Sequence, residues 1–153
     1  MPNYKGHLVG ALGAYAAAVL LFSLTRAPVP VLAQGLLFTC LGGLFPDIDT
    51  KSKGQKIFYI FFVCAIIGLI VYQQYHLLAF TSLMGSLPLL VSHRGLFHNI
   101  WFMFVLIMGS SIVLVSLFPS LSASIVRNGC FFSLGVFSHL LLDFGFMRVF
   151  RLR

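Results

Sequence analysis

The chain has 153 residues, of which 59% are hydrophobic and only 8% are charged. Soluble domains carry about a quarter charged residues, so this composition excludes a water-soluble globular protein and predicts an integral membrane protein. Ten Lys and Arg against three Asp give a net charge of +7, but the basic residues lie mostly between apolar runs. That placement favours orientation in a bilayer over the binding of nucleic acid.

Hydropathy predicts six membrane-spanning helices. The first is followed by Arg26, Pro28 and Pro30, which suit an uncleaved span better than a signal peptide. The second stops at Pro46, and the fourth contains an internal glycine and proline. In chain order, the predicted helices cover about 8–24, 31–45, 57–72, 77–91, 100–118 and 125–146.

The apolar runs lack the alternation of apolar and polar residues that marks the strands of a membrane barrel. Backbone groups in lipid need partners within their own segment, and helices provide them. The predicted fold class is therefore all-α, a polytopic helical bundle of about six transmembrane helices. The chain shows no internal repeat, and we expect a single transmembrane domain over residues 1–153.

The basic residues also predict an orientation, because Lys and Arg in short loops mark the cytoplasmic side. If the N-terminus is cytoplasmic, only Arg26 and Arg127 lie at the other face. We therefore predict a multi-pass protein of the inner (cytoplasmic) membrane with both termini inside the cell. The residues placed on the cytoplasmic side are Lys5, Lys51, Lys53, Lys56, Arg94, Arg148, Arg151 and Arg153.

The acidic residues and four of the five histidines converge on this same cytoplasmic face. The topology was set by Lys and Arg alone, so the convergence is an independent observation. His76 is the one histidine at the opposite face. The sequence predicts a metal site at the cytoplasmic face, with its ligands drawn from His7, Asp47, Asp49, His93, His98, His139 and Asp143.

Local spacing supports metal binding. His139 and Asp143 are four residues apart, so they lie on one face of a helix and can bind one cation. Gly95 permits a tight turn that brings His93 and His98 together.

A second acidic pair, Asp47 and Asp49, follows Pro46, where the two could face one cation or one of them could bridge two. Ionisable residues inside an apolar span are costly and indicate function.

Zinc suits a shell of His and Asp, and manganese or iron are alternatives. Seven candidate ligands are enough for one or two ions with positions open for water or substrate. Two ions about 3.5–4 Å apart would activate a water and polarise a phosphoryl group. Asp49 and His98 are candidates for the general base, and Arg94 for a contact to phosphate.

Four motifs carry a resemblance to a known family: His7, GGLFPDID at 42–49, SHRGLFHN at 92–99 and FSHLLLD at 137–143. In this order they resemble the bacterial LexA-regulated, inner-membrane metal-dependent hydrolases. The resemblance covers most of the chain and implies a membrane protein with metal-dependent hydrolase activity. That family often has small hydroxyl residues within and after HRGxxH, where this chain has Phe97 and Asn99.

The leading hypothesis is a membrane-embedded hydrolase that cleaves a phosphoester of a lipid or lipid-linked substrate by a metal-activated water. The alternative is a metal-ion or proton-coupled transporter, because intramembrane His and Asp also form ion paths. A haem protein with two histidine ligands is a third possibility, although it would leave the aspartates without a role. A non-catalytic membrane scaffold is the fourth, and in every case we expect no nucleic-acid partner.

Overall fold

The computed structural model describes residues 3–22, 24–48, 53–90 and 96–145. This part of the chain contains α-helices joined by turns and short 3₁₀ helices, and it contains no strand. The predicted helical bundle is therefore confirmed. The helices are α1 (Tyr4–Leu21), α2 (Val29–Leu44), α3 (Lys53–Val71), α4 (Tyr75–Leu90), α5 (Ile100–Leu117) and α6 (Ser122–Phe144).

Four segments are long and apolar enough to cross a membrane: Tyr4–Leu21, Val29–Asp47, Ile100–Leu117 and Pro119–Phe144. They contain α1, α2, α5 and α6, which carry the site described below. The apolar part of α3, Gln55–Val71, is shorter, and α4 has 16 residues with Pro88 inside it. A full crossing by α3 and α4 therefore stays a prediction.

Helix ends are set by local sequence signals. The Asn3 side chain accepts from the amide of Gly6 and caps α1, as the Asn99 side chain caps α5 by accepting from the amides of Trp101 and Phe102. Gly145 follows the C-terminal end of α6, the longest helix, and has a φ of 71°, a conformation that favours glycine. These three helix termini lie at the end of the bundle that holds the candidate site.

Helices α2 and α6 are in direct backbone contact, and glycine makes that contact possible. A Cβ on Gly135 would collide with the backbone carbonyl of Thr39 and lie 2.7 Å from the amide nitrogen of Gly43. A Cβ on Gly42 would collide with the carbonyl of Phe132. Small residues that let helices approach closely are typical of membrane bundles, where packing replaces the hydrophobic effect between helices.

Replacing Gly135 with alanine should test this contact. We expect Gly135→Ala to destabilise the protein by about 1–3 kcal/mol, as for other overpacked cores, because backbone atoms cannot move aside as a side chain can. The matched control is Gly109→Ala in α5, where an added Cβ meets nothing within 4 Å. Thermal unfolding in detergent measures both, and equal melting temperatures for the two variants would contradict the assignment.

An aromatic cluster lies at the same end of the bundle as the caps. Phe45, in the 3₁₀ turn that follows α2, makes edge-to-face contacts with Phe58, Phe97 and Phe132. Such contacts stabilise a fixed arrangement of the rings. Because Phe45 and Asp47 belong to one turn, and Phe97 and His98 to another, this cluster fixes two chain segments that carry candidate ligands.

Candidate metal centre

Five of the predicted ligands meet at one end of the bundle. His7 lies in the first turn of α1, and Asp47 ends the 3₁₀ turn after α2. His98 ends the 3₁₀ turn before α5, while His139 and Asp143 lie in the last turns of α6. The start of α1 and α5 and the end of α2 and α6 therefore share one face, as the predicted topology requires.

Four of these residues form a compact group of ligand atoms. One side-chain atom each from Asp47, His98, His139 and Asp143 lies within 4.8 Å of all the others. His98 Nε2 is 3.4 Å from Asp47 Oδ1 and 3.6 Å from Asp143 Oδ2. His139 Nε2 is 3.7 Å and 3.5 Å from the same two oxygens. Two imidazole nitrogens and two carboxylate oxygens thus face a common centre.

His7 contacts the other oxygen of each carboxylate. Its Nε2 is 3.5 Å from Asp143 Oδ1 and 3.9 Å from Asp47 Oδ2. Its ring is stacked on the ring of His139, with centroids 3.7 Å apart. In both carboxylates, therefore, one oxygen lies nearer to His7 and the other lies nearer to His98 and His139.

The ring of His139 has a defined tautomer. Its Nδ1 lies 2.8 Å from the carbonyl oxygen of Gly43, which can only accept a hydrogen bond. Nδ1 therefore carries the proton, and Nε2 presents its lone pair to the common centre. Metal-binding histidines usually donate their other ring nitrogen to a carbonyl or carboxylate in this way, which fixes the ring.

The distances between the histidine nitrogens and the carboxylate oxygens are longer than those of hydrogen-bonded ion pairs. A charged N–H···O hydrogen bond is about 2.7–2.9 Å long, whereas the six His–Asp pairs measure 3.4–3.9 Å. Atoms bound to one zinc ion at about 2.0–2.2 Å in a tetrahedron are about 3.3–3.6 Å apart. The spacing between these residues matches shared coordination more closely than direct pairing.

Burial gives the second sign that the residues fit a cation. His139 Nε2 and Asp143 Oδ1, which belong to the group of His and Asp atoms that face one another, are buried with no hydrogen-bond partner. Leaving such atoms unpaired is costly, and native proteins rarely do so without a functional reason. The donor set, the orientation of His139 and the unpaired atoms all fit a divalent metal.

Access to the centre is one-sided. The side chains of His139 and Asp143 are 0% and 3% exposed, while that of Asp47 is 26% exposed. The centre is therefore most accessible from the side of Asp47. The ligands on α6 form its buried floor.

Three predicted site residues, Asp49, His93 and Arg94, lie outside the described residues, so their roles stay predictions. His76, which the sequence places at the opposite face, is exposed near the start of α4, at the other end of the bundle.

The structure also explains the two residues at which this chain departs from the pattern within and after HRGxxH. Phe97 is a buried core residue, and Asn99 is the helix cap, a position that Ser and Thr also suit.

Sequence reasoning missed the glycines that position His139. Gly43 supplies the carbonyl for its Nδ1, and Gly135, one helical turn before His139, allows α2 to come close enough for that bond. The sequence does contain a signal for this close contact, because small residues recur every four positions at Gly35, Thr39 and Gly43. Such a pattern indicates a close helix interface in membranes.

Comparison with family models identifies a family that this chain resembles. The YdjM inner membrane protein family matches residues 1–147, which covers nearly the whole chain and every candidate ligand. No curated protein and no solved structure matches. The extent of the family match, together with the apolar helices, shows that the chain belongs to the YdjM inner membrane protein family.

Proposed function

We propose that this protein is a metal-dependent hydrolase of the inner membrane that cleaves a phosphoester of a lipid or lipid-linked molecule at the cytoplasmic face. The main support for this proposal is the group of His and Asp side-chain atoms, most of them buried, that face one another. Their separations are those expected of atoms that bind the same metal ion. Zinc is the metal that this donor set suits best, with manganese or iron as alternatives.

The division of the carboxylate oxygens supports two ions rather than one. Asp47 Oδ1 and Asp143 Oδ2 would join His98 and His139 around the first ion. Asp47 Oδ2 and Asp143 Oδ1 would join His7 around the second. Both aspartates would then bridge, and His93, by its place in the sequence, is the candidate to complete the shell.

Bound divalent ions would supply a water activated at neutral pH and positive charge against the phosphoryl oxygens. Residues of the chain itself hold the metal-binding side chains in position. Gly43 holds the His139 ring, and the stacked His7 ring restrains it from the other side. Because His98 lies among the ligand atoms, it is better suited to bind metal than to act as a base. Asp49 remains the proposed base, and Arg94 the proposed phosphate contact.

The lipid setting motivates the substrate class. The candidate ligands lie at or beside the ends of helices long and apolar enough to cross a membrane, and the more exposed Asp47 leaves one side open. Transporters place their ion sites near the middle of the bilayer, often on broken helices. Among the described residues no second His/Asp group lies at the other end. This one-ended arrangement favours hydrolysis over transport.

Metal content tests the proposal directly. We expect detergent-purified wild type to hold about two equivalents of zinc or manganese by mass spectrometry, and the His139→Ala, Asp143→Ala double variant to hold none. His76→Ala is the matched control, because that histidine is exposed at the other end of the bundle and should leave the content unchanged. Metal-free wild type, even after metal is added back, would refute the proposed function.

A further inference from the structure

The end of the bundle opposite the metal centre carries a charge that no described acid offsets. Arg127 lies in the second turn of α6, about 24 Å along that helix from Asp143. The other described carboxylate, Asp47, is also at the metal end. The Arg127 Nη2 donates to Gln34 Oε1 and Ser124 Oγ, both at 3.3 Å, and its Nε is buried without a partner.

A cavity of about 370 Å³ begins beside this arginine. Helices α4, α5 and α6 form most of its wall, and Phe38 of α2 and Phe45 of the following 3₁₀ turn complete it. Ser124, the hydrogen-bond partner of Arg127, and Asn128 line the cavity together with Ser110 and Ser111, and the other lining side chains are mostly aliphatic and aromatic. The positive charge of Arg127 therefore lies next to a cavity whose walls are mostly apolar.

We infer that this cavity binds an anionic phospholipid of the leaflet opposite the metal centre. A phosphate is the anion that this position offers, and arginine binds phosphate strongly with paired donors. Asn128 lines the cavity, and the NH₂ group of its side chain can donate to the ester carbonyl that lies just below a lipid phosphate. The apolar walls would then hold one acyl chain.

Phosphate, ester and chain follow one another in a lipid in the same order as Arg127, Asn128 and the apolar walls. The guanidinium lies at the level of Ser124, one turn nearer the helix start than Asn128. Beyond Asn128 the cavity extends to the aromatic side chains of Phe132 and Phe45. This site shares no ligand with the metal centre, so the inference is independent of the proposed hydrolase.

The first test compares two arginines at the same face. Native mass spectrometry should show a bound anionic phospholipid on wild type and on Arg26→Gln, whose arginine is exposed in a 3₁₀ turn, but a loss of at least tenfold in occupancy on Arg127→Gln. Added phosphatidylglycerol should raise the melting temperature of wild type and not of Arg127→Gln. Equal retention by both variants would overturn the inference, as would equal stabilisation by phosphatidylcholine or by inorganic phosphate.

The second test fills the chain site and leaves the arginine intact. Leu114 lines the cavity, whereas its neighbour Val113 is exposed on the outer surface of α5. We expect Leu114→Trp to lose the lipid and Val113→Trp to keep it. All four variants should retain the metal content of wild type, which separates this result from any failure of the metal centre. Lipid retention by Leu114→Trp would show that the cavity does not hold the chain.

Discussion

Replacing Asp143 with asparagine is expected to abolish hydrolysis while leaving the protein folded. Both oxygens of this side chain face histidine nitrogens, so the loss of its charge weakens every proposed metal position at once. We expect a loss of at least about 10³-fold in the rate of phosphoester cleavage, comparable to removing a main electrostatic contributor in other enzymes. The assay is release of phosphate or alcohol from a panel of lipid phosphoesters in mixed micelles.

Stability separates a catalytic role for Asp143 from a structural one. Wild type should be stabilised by added metal, by about 2.7 kcal/mol when free metal exceeds its dissociation constant a hundredfold. Asp143→Asn should not respond to metal. In the presence of chelator the variant should melt no lower than wild type, because it carries one buried charge fewer. A variant that melts far lower in chelator would show that Asp143 is mainly structural. His76→Gln serves as the control, with wild-type activity expected.

The membrane fold and the location of the site followed from the sequence for identifiable reasons. Apolar runs of span length predict helices, and the alternation of helix direction then decides which ends meet. His7, Asp47, His98 and Asp143 lie close together because each is within a turn of the correct helix end. Helix boundaries were less predictable, since α3 starts at Lys53, before its apolar residues.

The internal geometry of the site could not be predicted from sequence. Spacing indicates that His139 and Asp143 share a helix face, but not that the His139 ring donates to a carbonyl on another helix. That bond depends on the separation of α2 and α6, which is small because Gly135 has no Cβ to keep the two backbones apart. The division of the Asp47 oxygens likewise depends on a side-chain rotamer, which packing decides.

The division of the carboxylate oxygens leads to the second large prediction, which concerns His7. Among the described carboxylates, its Nε2 lies nearest Asp47 Oδ2 and Asp143 Oδ1, whereas His98 and His139 lie nearer the other oxygen of each carboxylate. We therefore expect His7→Ala to lose one of two metal equivalents and to keep the other, with hydrolysis reduced by at least about 10²-fold because two-ion chemistry needs both. His98→Ala should instead weaken the first position, and the double variant should hold no metal.

Metal titration by calorimetry, with content measured by mass spectrometry, distinguishes the possible arrangements. Two independent binding steps in wild type and one in His7→Ala would support two positions bridged by the aspartates. Loss of all metal in His7→Ala would instead indicate a single ion that needs every histidine. Unchanged metal content would place His7 outside the shell, where its ring, stacked 3.7 Å from that of His139, would act as packing alone. The position of His7 Nε2, 3.5 Å from Asp143 Oδ1, argues against that last arrangement, because packing alone is served better by an apolar ring.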